Sequence, residues 1–526
     1  LAKGWAGVKG VAIAAIAIGL ILRFSNLDRK VYWHDEVYTS LRVAGYMGPA
    51  VENAVLDRPE LTAADLLQYQ QMPLAPSLAD CWDALANHPE HPPLYYLAAH
   101  GWGRLFGASV GDYRAIAAIF GAIALAAMFW LGRQLFPFNP PVAWLATALM
   151  AVSPVQVIYS QEAREYSLWA VGLLLAHGAL VRAVRLNQPI GWLAYGLALG
   201  LSWYGSLMTG LLGLSHLAFM VLTQRQRRPW LGFVLAHGLG IGLFIPWIWT
   251  IVRRWGRLKE VTAWTDDPQP LDFLAKLWGL HYSAAVVDLN LPIDHAFTVV
   301  GPALVLGLVA VSLVQIGRHY PRSTAVFLGC GLLVPPLVLI GGDLVRTGQI
   351  STNTRYFFPS LLLVPLAIAP LINAGLAAAA QRSRAMGAAL LALLLTLGIV
   401  SGAINNRALT WWNKSLSYSN LAIANYLNQQ SAPVVVFGES GITLGEAISL
   451  SHYLNPDTAL WLLPGRTLPP LATLQAVAQG QPRLFLFEPP STLLDTVPSG
   501  WQTAPAADAT GFAPNDVVQL IPPQGS

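Results

Sequence analysis

Residues 296–342 read AFTVVGPALVLGLVAVSLVQIG (296–317), RHYPR (318–322) and STAVFLGCGLLVPPLVLIGG (323–342). Two uncharged apolar stretches flank five residues that carry Arg318 and Arg322. A helix needs about 20 apolar residues to cross hydrocarbon, and a helix on the surface of a soluble fold keeps a polar face. Neither stretch has one, so the segment is expected to be a hairpin of membrane-spanning helices.

The same pattern recurs along the chain. Uncharged stretches of similar length lie at 115–132, 166–181, 229–252, 356–381 and 385–406. Another, at 141–158, follows the turn signal Asn139-Pro140-Pro141, and the run 186–224 is long enough for two spans divided at Tyr204-Gly205-Ser206. Val11–Leu22 follows Lys3 and Lys9 without a small-residue cleavage pattern, so it is expected to stay as a first span. The expectation is an α-helical polytopic membrane protein with about 11 spans. Composition agrees: of 526 residues, 55% are hydrophobic and 11% charged, against about 25% charged in soluble domains. Mean hydropathy is +0.49.

With a cytoplasmic N-terminus, the inner segments hold Lys3, Lys9, Arg133, Arg182, Arg185, Arg225, Arg227, Arg228, Arg318, Arg322, Arg382 and Arg384 and no acid. All 27 acidic residues then fall on the other side, as the positive-inside rule favours. Outer segments follow at 25–114, 253–295 and 407–526. The last changes character, with β-type runs at Pro433–Phe437, Ala459–Leu463, Arg483–Phe487 and Val517–Ile521. Two domains are therefore expected: a transmembrane domain over 1–406 and a small α/β domain on the outer face over 407–526, exposed to the extracytoplasmic space.

The net charge of +4 comes without basic stretches interleaved with aromatics, which argues against a nucleic-acid partner. Two cysteines, Cys81 and Cys330, support neither a disulfide framework nor a cysteine metal site. Arg253, Arg254, Arg257 and Lys259 form a cationic cluster on the outer side that suits anionic headgroups or a lipid diphosphate.

The outer segments carry the chemistry-bearing residues. Val31-Tyr32-Trp33-His34-Asp35-Glu36 places two carboxylates about a dozen residues past a membrane exit, where a lipid-linked phosphate would present itself. The bland alternative is a pair of solvated acids at a helix start. His88-Pro89-Glu90-His91-Pro92-Pro93 holds imidazoles beside prolines that fix the backbone. His34, His88 and His91 are the candidates for a divalent metal, although their spacing matches no specific pattern. Glu162, Arg164 and Glu165 crowd a short hairpin between two spans, where unpaired charge is costly. Arg346 and Arg355 flank a span, and a guanidinium grips phosphate oxygens in a bidentate fork.

In order, Trp33-x-Asp35-Glu36, His91-Pro92-Pro93-Leu94-Tyr95-Tyr96, Ser160-Gln161-Glu162-Ala163-Arg164-x-Tyr166 and Arg355-Tyr356 resemble the GT-C superfamily of membrane glycosyltransferases, in the branch shared by protein O-mannosyltransferases and the aminoarabinose transferase. The resemblance implies a GT-C-like fold, a polyprenyl-phosphate sugar donor, inversion at the anomeric carbon, and Asp35 as general base with Glu36 as a supporting carboxylate. A protein, lipid or polysaccharide would be the acceptor. For substrate binding the candidates are His34, His91, Glu162, Arg164, Tyr166, Arg346, Arg355 and Tyr356. No cofactor is required, because arginines can carry the leaving phosphate. The competing classes are a polytopic transporter or lipid-carrier flippase, and a polysaccharide polymerase or ligase centred on a late outer loop. Mid-span charges would mark a transporter, and the expected spans have none.

Overall fold

The computed structural model describes residues 2–73, 77–480, 483–506 and 511–523. Side chains are described for all of these except 2–6 and 477–480, so Lys3 lies outside the described side chains. The protein is an integral membrane protein. Among the described residues, seven helices are long and apolar enough to cross a membrane, and two bent helix pairs raise that number to nine. The run expected to hold two more spans forms the shorter helices Pro189–Gly205 and Thr209–Thr223, separated where the Tyr-Gly-Ser signal stands.

Chain contacts divide the molecule into two units. The first comprises Leu1–Leu27, Leu85–Tyr95 and Arg114–Arg407 and holds the spans. Its Ala2–Phe24 helix ends at Arg23, whose side chain is fully buried. The guanidinium donates to the carbonyls of Gly19 at 2.8 Å, of Met150 at 3.2 Å and of Ala151. The helix is thereby tied to Pro140–Val152. A Cβ on Gly19 would run into the Ala151 carbonyl, so only glycine allows this approach, the small-residue contact typical of membrane helices.

The stretch expected as one span at 141–158 is broken. Pro140–Val152 and Pro154–Ser160 meet at 60°, because Pro154 lacks the N–H needed to continue the first helix while suiting the first turn of the second. Thr354–Leu361 and Val364–Ala377 are bent by 41° in the same way. Both breaks lie near the quoted motifs: the first delivers the chain to Gln161–Glu165, and the second ends the short helix Thr354–Leu361 that carries Arg355.

The second unit comprises Asp28–Ala84, Tyr96–Tyr113 and Ala408–Ser526. It is built on a six-stranded sheet of β1 (Leu61–Thr62), β2 (Pro433–Phe437), β3 (Ala459–Leu462), β4 (Arg483–Phe487), β5 (Gln502–Pro505) and β6 (Val517–Ile521), in the order β1-β3-β2-β4-β6-β5. β2 lies parallel to β3 and β4, while β6 runs antiparallel to β4 and β5. Val434, Val436, Trp461, Leu484, Leu486, Trp501, Val518 and Leu520 form its core, and Val435, Phe437 and Phe485 are buried as well. Such near-continuous apolar strands belong to a sheet covered on both faces.

The unit is larger than the expected 407–526 domain, because the first outer segment contributes to it. Leu61 pairs with Leu460, and Thr62 with Ala459, antiparallel to β3. A two-residue edge strand has no sequence pattern of its own. It forms because Thr62 also starts a helix through a reciprocal cap with Asp65, which fixes the backbone beside β3.

Replacing Gly19 by Leu is expected to destabilise the purified protein by about 1–3 kcal/mol through overpacking against Ala151. Thermal unfolding in detergent measures it, and an unchanged midpoint would refute the close approach.

Candidate functional site

In the first unit the chemistry-bearing residues converge from three loops. Pro92 and Pro93 end the His88–His91 turn and lead into the Leu94–Phe106 helix. The turn is anchored through its backbone: Trp247 Nε1 donates to the Pro89 carbonyl at 3.0 Å, and Arg257 Nε donates to Asn87 O at 3.3 Å. Arg257 of the cationic cluster therefore braces this loop.

A chain of charged side chains follows. His88 Nδ1 lies 3.2 Å from Glu90 Oε1, and the same oxygen lies 3.5 Å from His91 Nε2. The Nδ1 atom of His91 is 3.2 Å from Glu165 Oε1, and Glu165 Oε2 is 3.4 Å from Arg164 Nε. The Arg164 guanidinium sits 3.4 Å from both ring nitrogens of His91. Burial alone would raise the Glu165 carboxyl, but Arg164, followed by His91, holds it down at about 2. Burial, and then Arg164, lowers His91 from its ordinary 6.5, against the pull of Glu165 and Glu90. The resulting state at neutral pH is an ionised Glu165 beside a cationic Arg164 and a neutral imidazole.

Tyr166 opens the next helix and lies between two cations. Arg164 sits 5.9 Å from its ring centre, and Arg355 sits 5.5 Å from it and 5.7 Å from the ring of Tyr356. Arg355 is carried by a short loop that Asp343 organises. The Asp343 carboxylate, almost fully buried, accepts from the backbone N–H of Ile350 at 3.1 Å and of Ser351 at 2.6 Å. His281 spans the same loop, 2.9 Å from Ser351 O and 2.7 Å from Thr354 Oγ1. Glu162 is fully buried in the Gln161–Glu165 turn, whose Gln161 donates to Leu22 O at 2.6 Å and to Asn406 Oδ1 at 3.0 Å. Arg346 is exposed at the end of its helix, apart from this arrangement of rings and guanidinium groups.

In the second unit, Trp33 caps a helix that runs from His34 to Val43. Asp35 and Glu36 lie in its first turn, where the helix dipole favours acids, yet they meet different environments. Asp35 is half-buried. Glu36 is fully buried, and its Oε2 takes a 2.9 Å ion pair from Lys414 Nζ, which is itself 2% exposed. Lys414 also lies 5.4 Å from the centre of the Trp33 indole. His34 Nδ1 is 3.3 Å from Glu446 Oε1, and the His34 N–H donates to Ser417 Oγ at 2.9 Å. Lys414 and Glu446 were not singled out from the sequence. The available signals were a lone acid in the otherwise uncharged Thr443–Ser451 helix and a lysine two residues after Trp411-Trp412. Among the described residues no group of three His, Cys, Asp or Glu side chains is arranged to hold a metal ion. His34 and His88 are each engaged with one carboxylate, Glu446 and Glu90.

Residues 90–251 match the profile of the dolichyl-phosphate-mannose-protein mannosyltransferase family. The match takes in the His91-Pro92-Pro93 and Ser160–Tyr166 motifs, and leaves Asp35 and Arg355 outside. The fold resembles that of ArnT from Cupriavidus metallidurans, solved bound to undecaprenyl phosphate (14% identity, TM-score 0.53, covering 97% of this chain and 98% of that one). The apo form of ArnT gives 13% identity and a TM-score of 0.55, covering 97% of both chains. The Archaeoglobus fulgidus oligosaccharyltransferase, in its apo form, gives 12% identity and a TM-score of 0.52, covering 91% of this chain and 69% of that one. The chain thus shares its fold with ArnT and the archaeal oligosaccharyltransferase, and over residues 90–251 it is similar to the protein mannosyltransferase family. A search of the curated proteins finds no sequence match. The profile match and the charged cluster of the first unit share His91, Arg164 and Tyr166.

The His91–Glu165–Arg164 arrangement predicts an acid-sensitive first unit. A carboxyl held low stabilises fully above its ordinary value of 4.5 and loses that contribution as pH falls toward about 2. A histidine held low adds a loss that begins as pH falls through 6.5. Glu165→Gln is therefore expected to unfold at lower temperature than the parent at pH 7, with the gap narrowing between pH 5 and 3. Parallel unfolding curves across that range would contradict the pairing.

Proposed function

We propose that the protein is a membrane glycosyltransferase that moves a sugar from a polyprenyl-phosphate donor to an acceptor hydroxyl on the extracytoplasmic face. The observation that carries this reading is the paired-cation arrangement of Arg164 and Arg355 about Tyr166, in a chain with the GT-C fold whose residues 90–251 match a mannosyltransferase family. That ArnT was solved with undecaprenyl phosphate supports the carrier class.

The reaction is a single inverting displacement. The acceptor oxygen attacks the anomeric carbon, its proton passes to the carboxylate of Asp35, and the bond from that carbon to the phosphate oxygen breaks with its electron pair going to the phosphate. Arg355, with Arg164, is the group to stabilise the charge that develops there, since fixed guanidinium groups bind phosphate oxygens without reorganising. Tyr166 keeps the two cations apart at a ring face, and Asp343 and His281 hold the loop from which Arg355 projects. Glu36 has a different role from Asp35. Its carboxylate is consumed by Lys414, so it supports the helix on which Asp35 stands. The reaction balances without a metal.

Asp35→Asn in the full-length protein, reconstituted with a polyprenyl-phosphate sugar, is expected to lower kcat by at least about a hundredfold, the low end of general-base contributions, with unfolding unchanged. Full retained transfer would remove Asp35 from the mechanism. Arg355→Ala is expected to cost about 10²–10³-fold, as for loss of one charge-stabilising group. A parent protein that transfers no sugar from any polyprenyl-phosphate donor would refute the function itself.

A further inference from the structure

The four residues before Asp35 and the residue after it are each held by the C-terminal part of the chain. In order, the Val31 N–H donates to Leu409 O at 2.8 Å. The Tyr32 N–H donates to the Tyr453 hydroxyl at 2.6 Å, and Tyr32 O accepts from Ser449 Oγ at 2.8 Å. Trp33 receives the Lys414 ammonium on its ring, His34 is bound at both its N–H and its imidazole, and Glu36 is paired with Lys414.

The imidazole contact is the centre of a built network. Glu446, 1% exposed, accepts at Oε1 from Ser417 Oγ at 2.9 Å and at Oε2 from Asn420 Nδ2 at 3.1 Å, while Oε1 faces His34. Asn420 Nδ2 also reaches Ser449 Oγ at 3.0 Å, the hydroxyl that holds Tyr32 O. One buried carboxylate thus joins the Trp412–Ser417, Asn420–Leu427 and Thr443–Ser451 helices to the first turn of the His34–Val43 helix. Packing enforces the same register. A Cβ on Gly445 would run into the His34 ring and come within 2.8 Å of Tyr38, so the Thr443–Ser451 helix accepts the imidazole only because residue 445 has no side chain.

We infer that the segment from Leu409 to Tyr453 is a positioning device for Asp35, in which Glu446 acts through His34, and Lys414 through Glu36, to hold the first turn of the helix in one rotation. Successive residues on a helix point about 100° apart. A turn clamped through His34 and Glu36 therefore leaves Asp35 a single direction. The C-terminal region is then part of the transferase site and not a separate module. This rests on the proposed transferase reaction for Asp35's role as base, although the clamp itself does not.

Two variants approach the clamp by different physics: Glu446→Gln removes the charge facing His34 but keeps the side chain's shape, and Gly445→Ala adds only bulk. Both are made in the full-length protein in lipid nanodiscs, alone and with His34→Ala. Two readouts are taken: amide hydrogen exchange over residues 34–43 without substrate, and kcat and donor KM with a polyprenyl-phosphate sugar. The expected result is exchange faster by tenfold or more in both single variants, and kcat lower by tenfold or more with donor KM within twofold. In the His34→Ala background the Gly445→Ala penalty on kcat should shrink by threefold or more, because the nearer of the two rings it strikes is gone and only the Tyr38 contact is left. Unchanged exchange in both variants, an equal Gly445→Ala penalty in both backgrounds, or kcat retained despite faster exchange would each overturn the inference. A parent protein that is inactive toward polyprenyl-phosphate sugars refutes the transferase reaction instead, and the exchange data still decide the clamp.

Discussion

A buried charge without a partner is among the most destabilising features a fold can carry, and this chain places several ionisable side chains out of water. The Glu36–Lys414 pair is the plainest instance: both groups are almost completely enclosed, and each is tolerable only because the other is there. A buried pair gains little over well-packed apolar residues. What it supplies is a fixed geometry, since neither side chain can leave its position without stranding the other. The first turn of the His34–Val43 helix depends on that restriction.

The same logic organises the first unit. Glu165 and Arg164 neutralise one another, with His91 against both, in a turn where all five residues from Gln161 to Glu165 are buried. Around them the spans need no charge of their own, and the sequence supplies none at mid-span. Proline breaks at Pro154 and after Leu361 end helices beside the ionisable residues, which places polar backbone where side chains can answer it. Two cations then face one ring, Tyr166, with Arg355 held out by the Asp343 loop. Charge pairing and helix termination are thus consequences of the same polar layer.

Several candidate residues were marked by residue type and order. Asp35, His91, Arg164, Tyr166 and Arg355 stand in motifs whose order resembles the GT-C pattern, and the match over residues 90–251 takes in His91, Arg164 and Tyr166. Glu36 is different: adjacent in sequence to Asp35, it turned out to be a buried partner of Lys414, because neighbouring positions on a helix face different surroundings. Asp343 and His281 carried no usable signal, and that of Glu446, a lone acid in an uncharged helix, pointed to no partner. Their partners lie in other segments of the chain, and spacing says nothing about such encounters.

The sequence by itself determined that the chain crosses a membrane repeatedly and ends in a small mixed sheet. Apolar length and strand-type runs are local properties, and the four strands expected after residue 407 are where they were expected to within one residue. Only the tertiary structure decided that residues 28–84 and 96–113 belong with that sheet, and that two expected spans are bent. It also showed that Lys414 pairs with Glu36 and that Glu446 faces His34, on either side of Asp35. The reason is that an ion pair or an edge-strand contact is a property of two distant positions brought together by burial, and burial is settled by the whole chain.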